Sequence, residues 1–260
     1  MSALLWTLKQ GNGPILGTAI HSGHIVRPDI ADILNVDDAT RFREEDPYTD
    51  ELTAIVDSRL IVHRSRFEMD LNRNRNCAIY TKPEDAWGIE VWKHPLEQRM
   101  IQITLQQYDA FYRMLDDALA TMLQRHAKIV VLDFHSYNHQ RQGPNAMPSP
   151  PAENPEIEIG TDTMDRRYWT FIVDPFIAAL RDLPFRERRL DVRENVKFGA
   201  GWMSQWIHNR YPTKVCVISI ELKKTFMDEW SGTLYRHRLN DYKSAFQATV
   251  PVLQKCLRTN

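Results

Sequence analysis

Apolar positions recur along this chain with two periods, and the clearest stretch is helical. Leu105, Tyr108, Phe111, Tyr112, Leu115, Leu119, Met122 and Leu123 follow at three- and four-residue steps, which predicts a helix within 97–126. Directly after it, Lys128-Ile-Val-Val-Leu132 reads as a central, fully buried strand that stops at Asp133. A helix followed by a β-branched run is the pattern of a mainly parallel sheet. Lys214 to Ile220 is a second buried strand, ending at Glu221, and residues 14–20 form a third, running into a loop at His21. Ser58–Val62 and Arg189–Arg193 are further strand candidates. Shorter helices are expected at 28–35, at 49–56 with Thr49 as N-cap, at 168–180 and at 202–209. A closing helix is expected at 239–257, where Pro251 should kink or split it. Residues 138–160, rich in Pro, Asn, Gln and Gly, read as one long loop beside a site. No repeat breaks the alternation, so the chain reads as one α/β domain over 1–260.

Charge narrows the function classes. The chain carries 33 Lys+Arg against 34 Asp+Glu, so it lacks the basic excess with which nucleic-acid binders neutralise phosphates. A hydrophobic content of 43% and seven Trp exclude an acidic disordered chain. No run approaches the roughly 20 apolar residues of a membrane span, and residues 1–10 show no leader pattern. Cys77, Cys216 and Cys256 are odd in number and lack CxxC spacing, which fits a reducing compartment. The expectation is a cytoplasmic protein with no nucleic-acid or membrane partner; its oligomeric state is open.

Three apolar runs end in residues with chemistry: His21, Asp133-Phe-His135 and Glu221. In open parallel sheets, ligands bind outside the carboxyl ends of strands, so these ends point to one shared site. Any one alone has a plainer reading, as a hydrogen-bonded loop histidine or a surface charge. His21 and His24 lie three apart across a turn containing Gly23, and a tight turn aims both imidazoles at one cation. His135 supplies a third ligand for zinc, while Asp133 lies on the same side of the extended chain, in place for a supporting role. HExxH is absent, so the helical zinc-protease pattern is excluded. From His63 to Arg75 there are four Arg against Glu68 and Asp70. This is either a salt-bridged surface segment or, with Asn72 and Arg73 as a fork, a grip for a carboxylate. Gly11-x-Gly13 and Gly199-x-Gly201 match neither a dinucleotide nor a phosphate loop. A non-catalytic binder of a carboxylated metabolite is the competing reading.

The ordered pieces Ala19-Ile-His-Ser-Gly-His24, Glu45-Asp-Pro-Tyr-Thr-Asp50, Ser65-Arg-Phe-Glu-Met-Asp-Leu-Asn-Arg73, Asp133-Phe-His-Ser136 and Ile220-Glu-Leu-Lys-Lys-Thr-Phe-Met-Asp228 resemble the N-formylglutamate amidohydrolase family, related to zinc carboxypeptidases. The resemblance implies a three-layer α/β/α fold with a mixed, largely parallel sheet, like the phosphorylase/hydrolase fold. It implies one zinc ion held by His21 and His135, with His24 where zinc carboxypeptidases carry Glu. It implies Glu221 as the carboxylate that activates water on the zinc. It implies Asn72-Arg73 gripping the carboxylate of a small anionic substrate, with Arg66 and Asp70 supporting that wall and Arg73 also stabilising the oxyanion. The expected reaction is cleavage of the amide C–N bond of an N-formyl or other N-acyl amino acid such as N-formylglutamate. A carboxypeptidase-like or other N-acyl amino acid specificity is the alternative.

Overall fold

The computed structural model describes residues 4–186 and 188–259. The strands are β1 (Trp6–Lys9), β2 (Ile15–Ala19), β3 (Ser58–Val62), β4 (Ile129–Tyr137), β5 (Ile157–Gly160), β6 (Val192–Glu194) and β7 (Val215–Lys223). They form one seven-stranded sheet in the order β1-β3-β2-β4-β7-β5-β6. β3, β2, β4 and β7 run parallel, β1 lies antiparallel on β3, and β5 lies antiparallel on β7 and parallel to β6. The helices are α1 (Pro28–Ala31), α2 (Asp38–Glu44), α3 (Thr49–Leu52), α4 (Gln98–Leu123), α5 (Thr170–Asp182), α6 (Trp202–Arg210) and α7 (Arg236–Thr259).

Side chains alternate across a strand, so each central strand feeds two cores. Leu16, Val131 and Val217 pack with Phe111, Leu115 and Leu119 of α4 and with Met203 and Ile207 of α6. Leu132, Phe134, Ile218 and Ile220 pack with Ile172 and Phe176 of α5 and with Leu239 and Phe246 of α7. The result is a three-layer α/β/α arrangement around a mixed sheet. Full burial of a side chain such as Leu115 contributes about 2 kcal/mol. A third apolar cluster, including Ile30, Phe67, Tyr80 and Val91, seats the segment between β3 and α4.

The same alternation builds the site. On the face toward α4 and α6, β4 presents Ile129 and Val131, then Asp133 and His135; β7 presents Val215 and Val217, then Ser219 and Glu221. From the sequence, the first strand is expected to stop at Asp133, where that change begins, and the second to end at Glu221. Both continue, with Asp133 opposite Ser219, His135 opposite Glu221 and Tyr137 opposite Lys223. Only one face turns polar; Phe134, Ile220 and Leu222 keep the other buried.

Other boundaries also moved. The expected loop at 138–160 ends in β5, whose Ile157 and Ile159 are buried antiparallel on β7. Its four residues are too short for periodicity to stand out beside the Pro-rich run before them. The helix expected at 28–35 is one turn, and the one at 49–56 is α3 followed by a 3₁₀ turn at Thr53–Ile55, with Tyr48 rather than Thr49 at the N-cap. α7 runs from Arg236 through Pro251 without a break. β1 and α2 had no expectation at all. α2 buries Arg41 and Glu44, a polar pattern that hydrophobic periodicity cannot register.

Candidate active site

Three buried groups converge at the carboxyl ends of β2 and β4. They are His21, just after β2, His135 on β4, and Asp46 in the turn between α2 and α3. One ligand atom from each lies within 4.8 Å of the others. Asp46 Oδ2 stands 3.0 Å from His135 Nδ1 and 3.5 Å from His21 Nδ1. Two ligand atoms on a tetrahedral zinc, each about 2.0–2.2 Å from the ion, are roughly 3.3 Å apart, so these spacings suit such an ion.

Both imidazoles are oriented from behind. His21 Nε2 is 2.7 Å from Asp70 Oδ1, and His135 Nε2 is 3.0 Å from Asp133 Oδ2. Asp133 in turn accepts a 2.6 Å bond from Thr18 Oγ1. A carboxylate on Nε2 holds the proton there and turns Nδ1 toward the shared centre, the usual arrangement behind metal-binding histidines. His21 Nδ1 is buried and has no hydrogen-bond partner, so the protein leaves an aimed lone pair unused. Burial opposes charge on these groups, yet the His135 pKa is held well above the ordinary value by Asp133 and Asp46. Against the same burial, the two imidazoles hold Asp46 below the usual carboxylate range, and Arg66 with His21 does so for Asp70. The nearby carboxylates therefore draw positive charge into this spot, which a divalent cation would supply. His21, Asp46 and His135 fit a first-row divalent ion such as zinc.

Glu221 sits beside His135 on β7. Burial is the main cause that pushes its pKa up to about 8; Asp46 adds to this, and His135 and Arg66 counter it. A cleft of about 170 Å³ opens over His21, Asp46, His135 and Glu221, with Arg66, Asn72, Trp87, Arg141 and Lys224 also on its walls.

The expected site residues divide. His24 stands apart from the gathered trio: its Nδ1 is 2.5 Å from Glu45 Oε2 and its Nε2 3.0 Å from Asp38 Oδ1. Asp70 is buried behind His21, where it also accepts from Arg66 Nη2, Tyr80 OH and the Asn72 backbone N–H, so it supports the wall without lining the cleft. Arg66 lines the cleft over the Trp87 ring. Asn72 also lines it, and its Oδ1 caps α6 by accepting from Met203 N. Arg73 is not on the lining; its Nη2 donates to the Asp85 carbonyl and its guanidinium lies over Tyr80. The local charge excess at 63–75 is largely spent on pairs within the protein: Arg64 with Glu68, Arg66 and Arg73 with Asp70, Arg75 with Asp109.

Asp46, Arg141 and Lys224 also line the cleft, and none of them has a role expected from the sequence. Asp46 belongs to Glu45-Asp-Pro-Tyr-Thr-Asp50, and its backbone N–H donates to the His21 carbonyl, which ties the turn to the end of β2. Lys224, fully buried, donates to the carbonyls of Arg43 and Glu45 and so holds the chain on either side of Glu44. Burial pushes its pKa down to about 8. Arg141 follows β4 on a segment fastened by Glu229, which accepts the N–H groups of His139 and Gln140. Its guanidinium pairs with Glu44 at 2.9 Å over Trp87.

Among solved structures, the chain is similar to an N-formylglutamate amidohydrolase from Ralstonia eutropha JMP134, with a TM-score of 0.73 and 18% identity over 98% of each chain. It is also similar to gene product Atu2144 from Agrobacterium tumefaciens, with a TM-score of 0.63 and 15% identity over 99% of this chain and 94% of that one. At such identities the likeness speaks for the fold alone. No curated protein matches. The family model for N-formylglutamate amidohydrolase matches residues 13–227, a span that includes every converging group described above. The chain is therefore an enzyme of the amidohydrolase kind and belongs to the N-formylglutamate amidohydrolase family.

Proposed function

We propose that this enzyme is metal-dependent and hydrolyses the amide C–N bond of an N-acyl amino acid of the N-formylglutamate type. The observation that carries the reading is the convergence of His21 Nδ1, Asp46 Oδ2 and His135 Nδ1, each imidazole backed by a carboxylate, next to Glu221. His21, Asp46 and His135 would hold the ion, and zinc suits two imidazoles and a carboxylate. When bound, the ion polarises the substrate carbonyl and makes water more acidic.

Glu221 is the general base. It takes a proton from the attacking water and returns it to the departing nitrogen. Its raised proton affinity suits both halves of that transfer, because a carboxylate near the usual pKa is a weak base and a poor proton store. Asp70 and Asp133 keep the imidazoles in one tautomer and one orientation.

Arg66 is the cation closest in role to the one expected of Asn72-Arg73. Its Nε and Nη2 are taken by Tyr80 and Asp70, which leaves Nη1 for a substrate carboxylate or a developing oxyanion. Arg141 and the ammonium of Lys224 add positive charge to the same walls, and the Asn72 amide adds a neutral donor. The substrate is accordingly a small anion. Among the described residues, no helix is long and apolar enough to cross a membrane.

Metal content and turnover test this together. The purified protein should hold one equivalent of zinc or a similar ion and release free glutamate from N-formylglutamate or an N-acyl relative. Chelation should abolish the release, and added metal should restore it. Full activity after complete metal removal refutes the reading.

A further inference from the structure

Asn72, His135, Phe198 and Glu221 border the cleft and also a second, adjoining space. That space measures about 350 Å³, against about 170 Å³ for the cleft. Its remaining wall is Ser219, Lys197 and the run Gly199-Ala200-Gly201.

This wall is a constructed surface. Glu158 Oε1 accepts the backbone N–H groups of Lys197 at 2.5 Å and Phe198 at 2.8 Å. A Cβ at Gly199 would lie 1.7 Å from Asp162 Oδ2, and one at Gly201 would lie 2.1 Å from the Asn72 amide. Glycine lets the loop close against both neighbours. That is the local reason for two glycines here, where the sequence spacing fitted no phosphate loop.

Lys197 is the cation of this wall. Its Nζ donates to Asn154 Oδ1 at 2.5 Å and lies 4.8 Å from the centre of the Tyr137 ring. Its direct contacts are thus an amide oxygen and a ring face, while the Glu158 and Glu221 carboxylates act on it without a direct pair. Burial and the nearby Arg141 charge lower its pKa while the Glu158 and Glu221 charges raise it, so an anion brought to Lys197 acts in the same sense as those two carboxylates and against Arg141.

Size then discriminates between substrates. A formyl group is one carbon and one oxygen, comparable with a water's share of about 30 Å³, and it leaves most of such a compartment empty. The amino-acid carboxylates have Arg66, Arg141 and Lys224 on the cleft side. The acyl group is left with the compartment. Resting on the reading that His135 and Glu221 flank the scissile amide, we propose that this compartment is the acyl subsite. The preferred substrate is then an N-acyl acidic amino acid whose acyl chain is a short dicarboxylic one, succinyl or glutaryl in size, with its terminal carboxylate on Lys197. In the reaction, the water oxygen bonds to the acyl carbon and the C–N bond breaks. The amine leaves with the proton that Glu221 took, and a free dicarboxylate is released.

The test compares kcat/KM of the metal-loaded enzyme on N-formyl-, N-acetyl- and N-succinyl-L-glutamate. The succinyl substrate should exceed the formyl one by at least ~10-fold, the scale on which a pocket separates substrates by size and one polar contact. Lys197→Met should lower that succinyl-to-formyl ratio at least ~10-fold, and Lys197→Arg should recover most of it. Ala200→Leu, which narrows the wall without touching the charge, should lower the ratio in the same direction. A formyl substrate turned over as well as or better than the succinyl one overturns the proposal, as does a ratio unmoved in both the Met and the Leu variant. Turnover of N-formylglutamate alone overturns the acyl subsite and leaves the reaction class standing. Failure on all three substrates removes the reaction class and this inference with it.

Discussion

Asp46→Asn decides between two ligand sets that share His21 and His135. In one, the third ligand is His24, as the His-x-x-His spacing suggests. In the other it is Asp46, as the structure arranges. The imidazole of His24 is about one-third exposed, and both its nitrogens are occupied by Glu45 and Asp38. To bind at the shared centre it must leave those partners and reorient. Asp46 already places Oδ2 at 3.0 and 3.5 Å from the two Nδ1 atoms. Asparagine preserves its shape and removes its charge. Carboxylates that only orient a ligating histidine are worth 10- to 100-fold in metal affinity. A carboxylate in direct contact should exceed that scale, so Asp46→Asn should weaken zinc binding by at least ~100-fold, about 2.7 kcal/mol. His24→Ala should change it by less than about threefold, because a partly exposed ion pair contributes little. Competition against a chromophoric chelator measures both variants, with circular dichroism to establish that each is folded. Wild-type affinity in Asp46→Asn together with a large loss in His24→Ala would refute the assignment.

Three further outcomes follow from the geometry. Glu221→Gln should retain metal and fold while kcat falls at least ~10²-fold, the scale of a lost general base; unchanged kcat in steady-state kinetics removes Glu221 from that role. Lys224→Met leaves the carbonyls of Arg43 and Glu45 without their donor, so the turn carrying Asp46 should loosen and zinc affinity drop by about tenfold by the same chelator competition; an unaltered affinity means that the clamp does not position Asp46. His208 accepts the Val217 N–H through Nε2 and meets Thr163 Oγ1 through Nδ1, which requires a neutral ring, and burial pushes its pKa down to about 4. Its folded pKa lies below the unfolded value near 6.5, so its contribution is complete above pH 6.5 and is lost as pH falls toward 4. Denaturant unfolding across that window should show a decline on the order of 3 kcal/mol that His208→Gln removes; an equal decline in the variant assigns the slope to other groups.

Legibility differed by element for identifiable reasons. α4 announces itself by the period that one buried face imposes, and β2, β4 and β7 by continuous apolar runs, because both their faces are buried. β1 is a four-residue edge strand and β5 is equally short, so neither accumulates enough period to register. The ends of β4 and β7 were misplaced because a functional face turns polar before the ladder ends.

Within the site, His21, His135 and Glu221 were readable because they sit at the ends of apolar runs, where any parallel strand brings its side chains to one edge of the sheet. Arg73 was misdirected by its neighbourhood: adjacency to Asn72 does not settle which way a loop residue points, and the Asp85 carbonyl and the Tyr80 ring take it elsewhere. Asp46, Arg141 and Lys224 reach the cleft from separate parts of the chain. Asp46 is tied to the His21 carbonyl, Lys224 bridges to α2 from the far end of β7, and Arg141 is set by Glu229. Such bonds join residues tens to well over a hundred positions apart and leave no spacing in the sequence. The sequence by itself determined the central strands β2, β4 and β7, the long helix α4 and the edge where chemistry gathers, because these follow from local apolar runs and periodicity. Only the tertiary structure decided which carboxylate completes the trio, which cations face the cleft and how large the adjoining compartment is, because those depend on how distant loops close over that edge.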